Sequence, residues 1–338
     1  MSSSRQDWID IAKGIGIIAV VLGHAGFVMG HHYTYWFHMP LFFILSGLLY
    51  KPVSNYKQLK QWLIKRMKQF LIPYLSFGLL ILLYKAIMHN TYYFDYNVNS
   101  FLQELYRLAF GGMMLRGIMT VFWFITCLLL TQILFALLHL FIKFTFTQIF
   151  IIFISYLFAH YYSIHIANPF ENPVPWSADV VLIALAYYAF GYYIKQHIQL
   201  LINIFTSLIS LTFIFLFTIY DFKNEFFYTL DLKPNIYNHI LLDSIVPISI
   251  FVIIAYISKL LSKVTLSDIL IKLGMASLTI MYLHRVTNEI LGRYLEYGYI
   301  WYTIVGIIIP LLFHVLFEKI KITQIIFLGR TNILNKLK

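Results

Sequence analysis

Apolar stretches of membrane-spanning length recur along this chain from one end to the other. At 1.5 Å per residue, each is long enough as a helix to cross about 30 Å of hydrocarbon. About ten candidate spans can be drawn, at 9–29, 35–50, 69–88, 119–140, 145–162, 177–195, 200–219, 238–258, 268–288 and 299–317. They leave no length of sequence over for a soluble domain. Composition agrees: 60% of the 338 residues are apolar and 12% charged, where a soluble domain would carry about a quarter charged residues. The expected fold is therefore all-α, a polytopic helical bundle forming one membrane domain over 1–338. No small-residue cleavage site follows the first apolar segment, which reads as a retained helix rather than a signal peptide.

The 25 basic residues outnumber 14 acids, and their placement sets the expected topology. Most fall in alternate connections, densest between Lys51 and Lys68. Basic residues collect in cytoplasmic loops, so both termini are expected inside. The charge excess is then topological, and no nucleic-acid partner is implied. Single Cys127 lies in an apolar run and reads as packing. The longer outer connections, 89–118, 163–176 and 220–237, carry many tyrosines, including Tyr92, Tyr93 and Tyr96. These fit an interfacial aromatic belt or, alternatively, stacking on sugar rings.

Polar side chains at membrane depth are costly and need a reason. In the first span, DWIDIAKGIGIIAVVLGH, Lys13 and His24 lie on one helix face, about 20° apart and about 16.5 Å along the axis. Asp10 sits one turn before Lys13 and about 40° from His24. Two readings of His24 stand: a buried imidazole satisfied by a neighbouring helix, or a general base taking a proton from a hydroxyl. Lys13 equally well snorkels to the headgroups. In WFHMPLFFILSGLLY the polar or small positions are His38, Ser46 and Gly47. Ser46–Gly47, and the Gly26/Gly30 GxxxG, read as close helix packing. The spacing of His24, His31, His32 and His38 matches no metal-ligand pattern, so no metal is expected. Bases before the third span, among them Lys65, Arg66 and Lys68, suit topology and also a phosphate-rich donor. Pro73–Tyr74 marks an expected bend. Later come Trp123 and the run SLTIMYLHRVTNE, where Arg285 and Glu289 have the i,i+4 spacing of a structural ion pair.

Taken in order, Lys13 and His24, FHMPLFFILSG, the basic stretch ending in IPY, the Trp123–Phe124 pair and SLTIMYLH resemble the membrane acyltransferase family 3. Within it the pattern resembles the branch related to fucose 4-O-acetylases, and it covers essentially the whole chain. The resemblance implies transfer of an acyl group, usually acetyl from cytoplasmic acetyl-CoA, to a hydroxyl of an extracytoplasmic glycan or lipid-linked sugar. The setting it implies is a bacterial cytoplasmic membrane. It makes His24 the catalytic residue with Lys13, and beside it Asp10, as partners. Lys65, Arg66, Lys68 and Tyr74 become donor-binding candidates. His38, Ser46, Trp123, Tyr282 and His284 become acceptor-binding or supporting positions. Many family members carry Arg where Lys13 stands, and many fuse an extracytoplasmic hydrolase-like domain. None is read here, which leaves room for a separate extracytoplasmic partner protein. On composition alone, an exporter or flippase of a saccharide fits as well. The absence of matching half-chain repeats argues against it.

Overall fold

Helices with too few polar residues to be soluble must bury their apolar faces against one another or turn them to lipid, and this chain does both. The computed structural model describes residues 7–92, 98–237, 239–264 and 267–330. Among them the elements are α1 (Asp7–Gly23), α2 (Val28–Tyr35), α3 (His38–Leu48), α4 (Tyr56–Tyr92) and α5 (Val98–Phe110). After two short 3₁₀ turns follow α6 (Trp123–Phe141), α7 (Thr145–His165), α8 (Val181–Ile194), α9 (Ile198–Leu201) and α10 (Ile204–Lys223). The chain continues with α11 (Leu242–Leu261), α12 (Ser267–Met275), α13 (Ser277–Gly292), α14 (Tyr299–Lys319) and α15 (Lys321–Ile326). The sole β pairing among the described residues is an isolated bridge, Asp231 to Ile236.

Seven described helices are long and apolar enough to cross a membrane, and they match the expected third to eighth and tenth spans. They differ in environment. The segment through α6 is 72% buried by protein, whereas α10 and α14 are 17% buried and expose large apolar side chains such as Phe205, Phe215, Trp301 and Leu312. α6 thus sits in the core, and α10 and α14 form a rim whose outer face suits lipid.

The remaining expected spans take other shapes. The ninth is not one straight helix: α12 and α13 meet at an 80° bend. Hydropathy runs unbroken across 274–277, so the pattern gave no sign of it. The first ends at Gly23 rather than Met29, because the chain turns at 24–26 with Gly26 at φ +75°. A Cβ at Gly26 would meet nothing within 4 Å, so this glycine serves a turn. The GxxxG packing reading is corrected accordingly. The second, expected at 35–50, is the single helix α3, which at 11 residues is only about 16 Å long, and α2 precedes it in the connection from the first. At Pro73, where a bend was expected, α4 continues. Proline cannot donate to the carbonyl four residues earlier, and Gly329 packs against that carbonyl, of Gln69. Tyr93 and Tyr96 lie outside the described residues.

Two helix pairs approach backbone to backbone. Cβ atoms built at Gly14 and Gly274 would fall 2.3 and 1.8 Å from the carbonyls of Leu270 and Asp10, so each glycine makes room for the other helix. The same reciprocity joins α3 and α8: Gly47 faces the Tyr188 carbonyl and Gly191 that of Ile44. Small residues allow such approach, and dispersion between close backbones supplies association where lipid offers no hydrophobic drive. Gly274→Leu or Gly47→Leu is therefore expected to lower the thermal midpoint of the detergent-solubilised protein by the equivalent of about 1–3 kcal/mol or more. Size-exclusion monitoring of heated samples reads this. Unchanged midpoints would show that these contacts do not hold the bundle.

Candidate active site

Along α1 the residues Asp10, Lys13, Ile17, Val20 and His24 repeat at three- and four-residue intervals and so share a face. The structure hollows out both ends of this stripe. Asp10, Lys13 and Ile17 line one cavity of about 330 Å³, and Val20 and His24 line another of about 460 Å³. Ile17 and Val20 are three residues apart, so along α1 the partition is about 4.5 Å thick. Met281 borders both cavities. The adjacent Trp123 and Phe124 divide between them, Trp123 to the His24 side and Phe124 to the Lys13 side.

The Lys13 cavity owes its wall to the bend. Gly274, Met275, Ser277, Leu278 and Thr279 all line it, and irregular backbone is tolerated at membrane depth where it borders a cavity. Its cations are Lys13, Arg66 and Arg330. Lys13 Nζ lies 3.3 Å from Asp10 Oδ1, and Arg330 pairs with Glu318. Arg66 donates to the neutral Gln69 amide at 2.9 Å and stacks over Trp62. Ser46 lies here too, its Oγ 2.9 Å from Gln132 Nε2. Of the other donor-binding candidates, Lys65 and Lys68 are exposed on other faces of α4. Tyr74 is buried and donates to the Leu108 carbonyl at 2.6 Å. None of these three lines the cavity.

His24 projects from the turn that ends α1. Its Nδ1 lies 2.7 Å from the Val20 carbonyl. A carbonyl only accepts, so Nδ1 carries the proton and Nε2 offers a lone pair. The Tyr35 hydroxyl stands 3.5 Å from that Nε2. Three more imidazoles gather around: His284 with ring centroids 5.2 Å from His24, and His31 and His38 at 3.9 and 4.7 Å from Tyr35. His38 and His284 likewise direct Nδ1 to the backbone carbonyl four residues earlier, His38 to Thr34 at the end of α2 at 2.6 Å and His284 to Ile280 of its own helix at 3.0 Å. No group of three or more metal-ligating side chains among the described residues is arranged to hold an ion. Tyr282 is fully buried, stacked on Phe77 at 4.7 Å, and belongs to the packing behind the cavities.

The sequence did not mark Asp231, Lys233 or Arg285 as site residues, yet all three line the His24 cavity with Arg116. Arg285 is not paired with Glu289 as its spacing suggested. Glu289 bonds Arg293 at 3.1 Å instead, which leaves the Arg285 side chain on the cavity side of α13. Lys233 donates to the Leu115 carbonyl at 2.7 Å and to Thr120 Oγ1 at 2.5 Å. Burial pushes the Lys233 ammonium down to about 8 although Asp231 draws it back up. Burial also raises the Asp231 carboxyl to about 6, against a backbone N–H bond from Lys233 and the charges of His31 and Lys233.

The segment carrying Asp231 and Lys233 is held over the cavity by buried polar contacts. Trp36 Nε1 donates to the Tyr228 carbonyl at 2.8 Å, and Asp221 joins His32 Nε2 at 2.8 Å to the Tyr228 N–H at 2.7 Å. Deeper, Asp243 accepts from Tyr228 Oη at 2.7 Å and lies 3.0 Å from His160 Nε2. Hydrogen bonds to a buried carboxylate contribute roughly 1.5–3 kcal/mol each. Asp221→Asn is therefore expected to speed amide deuterium exchange across 224–237 by about tenfold or more. Unaltered exchange there would show that another contact anchors the segment.

The fold is that of a polytopic helical membrane protein with two cavities along α1, each bringing charged side chains into a largely apolar lining. The family described as an acyltransferase domain matches residues 6–319, nearly the whole chain, and this chain belongs to that family, the membrane acyltransferase family 3. No curated protein and no solved structure matches it.

Proposed function

We propose that this acyltransferase takes an acyl group, acetyl in the simplest case, from cytoplasmic acyl-CoA seated in the Lys13 cavity. It delivers that group to a hydroxyl of an extracytoplasmic glycan or lipid-linked sugar in the His24 cavity. The observation that carries the reading is the pair of cavities set end to end along one face of α1 and parted by about one helical turn. Basic residues flank the Lys13 end, in keeping with a cytoplasmic face. Arg66, which has no carboxylate within salt-bridge distance among the described residues, suits the phosphates of a nucleotide thioester. The rise from Lys13 to His24, about 16.5 Å, is within reach of an extended pantetheine arm. Such an arm would bring its thioester to the partition while the nucleotide phosphates stay at the Lys13 end.

His24 then acts as base. Its Nε2 lone pair takes the proton of the acceptor hydroxyl, and the oxygen attacks the thioester carbonyl. The C–S bond breaks, and the imidazolium returns its proton to the departing CoA sulfur. The Val20 carbonyl holds the tautomer that makes Nε2 the basic nitrogen. The apolar partition keeps bulk water from the thioester. A bacterial cytoplasmic membrane provides the setting, with CoA on one face and envelope glycan on the other.

Mass spectrometry of envelope glycans from a deletion strain, complemented with wild type or His24→Ala, tests this. Wild type is expected to restore an acyl mass increment. His24→Ala should reach the membrane in normal amount and transfer at least about a hundredfold more slowly, the range for a lost general base. Glycan that stays unmodified yet accumulates inside the deletion strain would instead establish an exporter. Met281→Trp, placed at the partition, is expected to abolish transfer while acyl-CoA still binds in equilibrium dialysis; undiminished transfer would rule out that route.

A further inference from the structure

The two cavities carry the same charge balance, and only one of them has a reason for it in the reaction just described. Three cations and one carboxylate line the Lys13 cavity, where the phosphates of an acyl-CoA account for the excess. Three cations and one carboxylate also line the His24 cavity: Arg116, Lys233 and Arg285 against Asp231. A neutral sugar hydroxyl asks for nothing of the kind.

The outer cations are also less compensated than the inner ones. Lys13 and Arg330 each have a carboxylate within salt-bridge distance. Among the described residues no carboxylate stands within that distance of Arg116, Lys233 or Arg285. Lys233 is held by neutral oxygens of Leu115 and Thr120, which fix the ammonium without neutralising it. Arg285 rises from a helix at membrane depth, where an uncompensated charge is costly, and the acid at its own i+4 position has been drawn off by Arg293. A tetrahedral oxyanion in the transfer step needs one or two donors, so it accounts for part of this set and not for all of it. Cations from three separate segments converging on one cavity are the pattern of a site for an anion.

The geometry points to an acceptor that is itself anionic, with a carboxylate or phosphate group on the sugar that takes the acyl group or on its immediate neighbour. This rests on the acyltransferase reading above and narrows it. Arg285, on α13 next to His284, and Lys233, on the segment strapped to α2 by His32 and Asp221, hold the anion from two sides. The hydroxyl beside it is thereby presented to His24. Arg116, exposed at the rim, draws the anion in. The guanidinium of Arg285 suits two oxygens of either anion in parallel. The phosphate source is either a phosphodiester within the glycan or the phosphate of a lipid carrier.

The acylated molecule from wild-type membranes decides the matter. Membranes from the deletion strain and from the complemented strain are extracted, and the species carrying the enzyme-dependent acyl increment is fragmented by mass spectrometry. A carboxylate or phosphate on the acylated residue or the adjoining one is the expected result. Hydrofluoric acid, which cleaves phosphodiesters, and carbodiimide reduction of carboxylates separate the two anions, and loss of a lipid mass identifies a carrier phosphate. An acyl group on a neutral residue with neutral neighbours would overturn the inference and leave the transferase reading intact. If no acyl increment depends on the protein, both fall together. In membranes supplied with labelled acyl-CoA and the purified acceptor, Arg285→Gln is expected to raise the acceptor KM about tenfold, with Arg285→Lys recovering part of the loss. Lys233→Gln, and Arg116→Gln at the exposed rim where folding is not at stake, should shift KM in the same direction. Acceptor KM values within twofold of wild type in all three Gln variants would overturn the assignment.

Discussion

The close seating of α12 on α1 is the contact on which the rest of the structure depends. Gly14 and Gly274 let the two backbones meet at the level of Asp10 and Lys13. That approach fixes the short helix against the first one, and the 80° turn into α13 follows directly after it. The turn opens the Lys13 cavity, and α13 then carries Met281 to the partition and His284 and Arg285 to the far side. A larger residue at either glycine would push on a backbone carbonyl, which has no rotamer to retreat into. The geometry of both cavities is thus a consequence of two missing side chains.

Charge at membrane depth is managed differently at the two ends. At the Lys13 end the polar groups are mostly satisfied within the protein, by Asp10, Glu318 and Gln69. At the His24 end, His24, His38 and His284 each satisfy Nδ1 on the backbone carbonyl four residues earlier. Lys233 there is held by neutral oxygens, and among the described residues no carboxylate lies within salt-bridge distance of it, Arg116 or Arg285. Desolvation makes such groups sensitive to what enters the cavity, which is the property a transfer site needs.

The sequence made the helical class, the core spans and the Lys13–His24 stripe legible, because each depends on local periodicity or on hydropathy. Gly47 was also legible as a packing position, since small residues at a helix interface declare themselves by type. What escaped was set by partners distant in sequence. Arg285 and Glu289 had ideal spacing, yet Arg293 was an equally good partner and took the acid. Asp231 and Lys233 sit in a connection whose path is dictated by Trp36, His32 and Asp243, up to 190 or so positions away along the chain. Lys65 and Lys68 differ from Arg66 in helical phase alone, and only the packing of α4 shows which phase faces inward. The bend at 275–277 left no trace in hydropathy, since both of its arms are apolar.

The central claim is that an acyl group passes between two chambers while neither the donor nucleotide nor the acceptor crosses. Proteoliposomes holding the purified protein in one orientation test it most directly. Acyl-CoA labelled in the acyl group is added on the Lys13 side, and the glycan acceptor, labelled with a second isotope, is enclosed on the His24 side. The account predicts that acyl label appears on enclosed glycan, free CoA appears only on the donor side, and no glycan label leaves the vesicle. Glycan label emerging unacylated, or acylated product formed only when both substrates share one side, would contradict it.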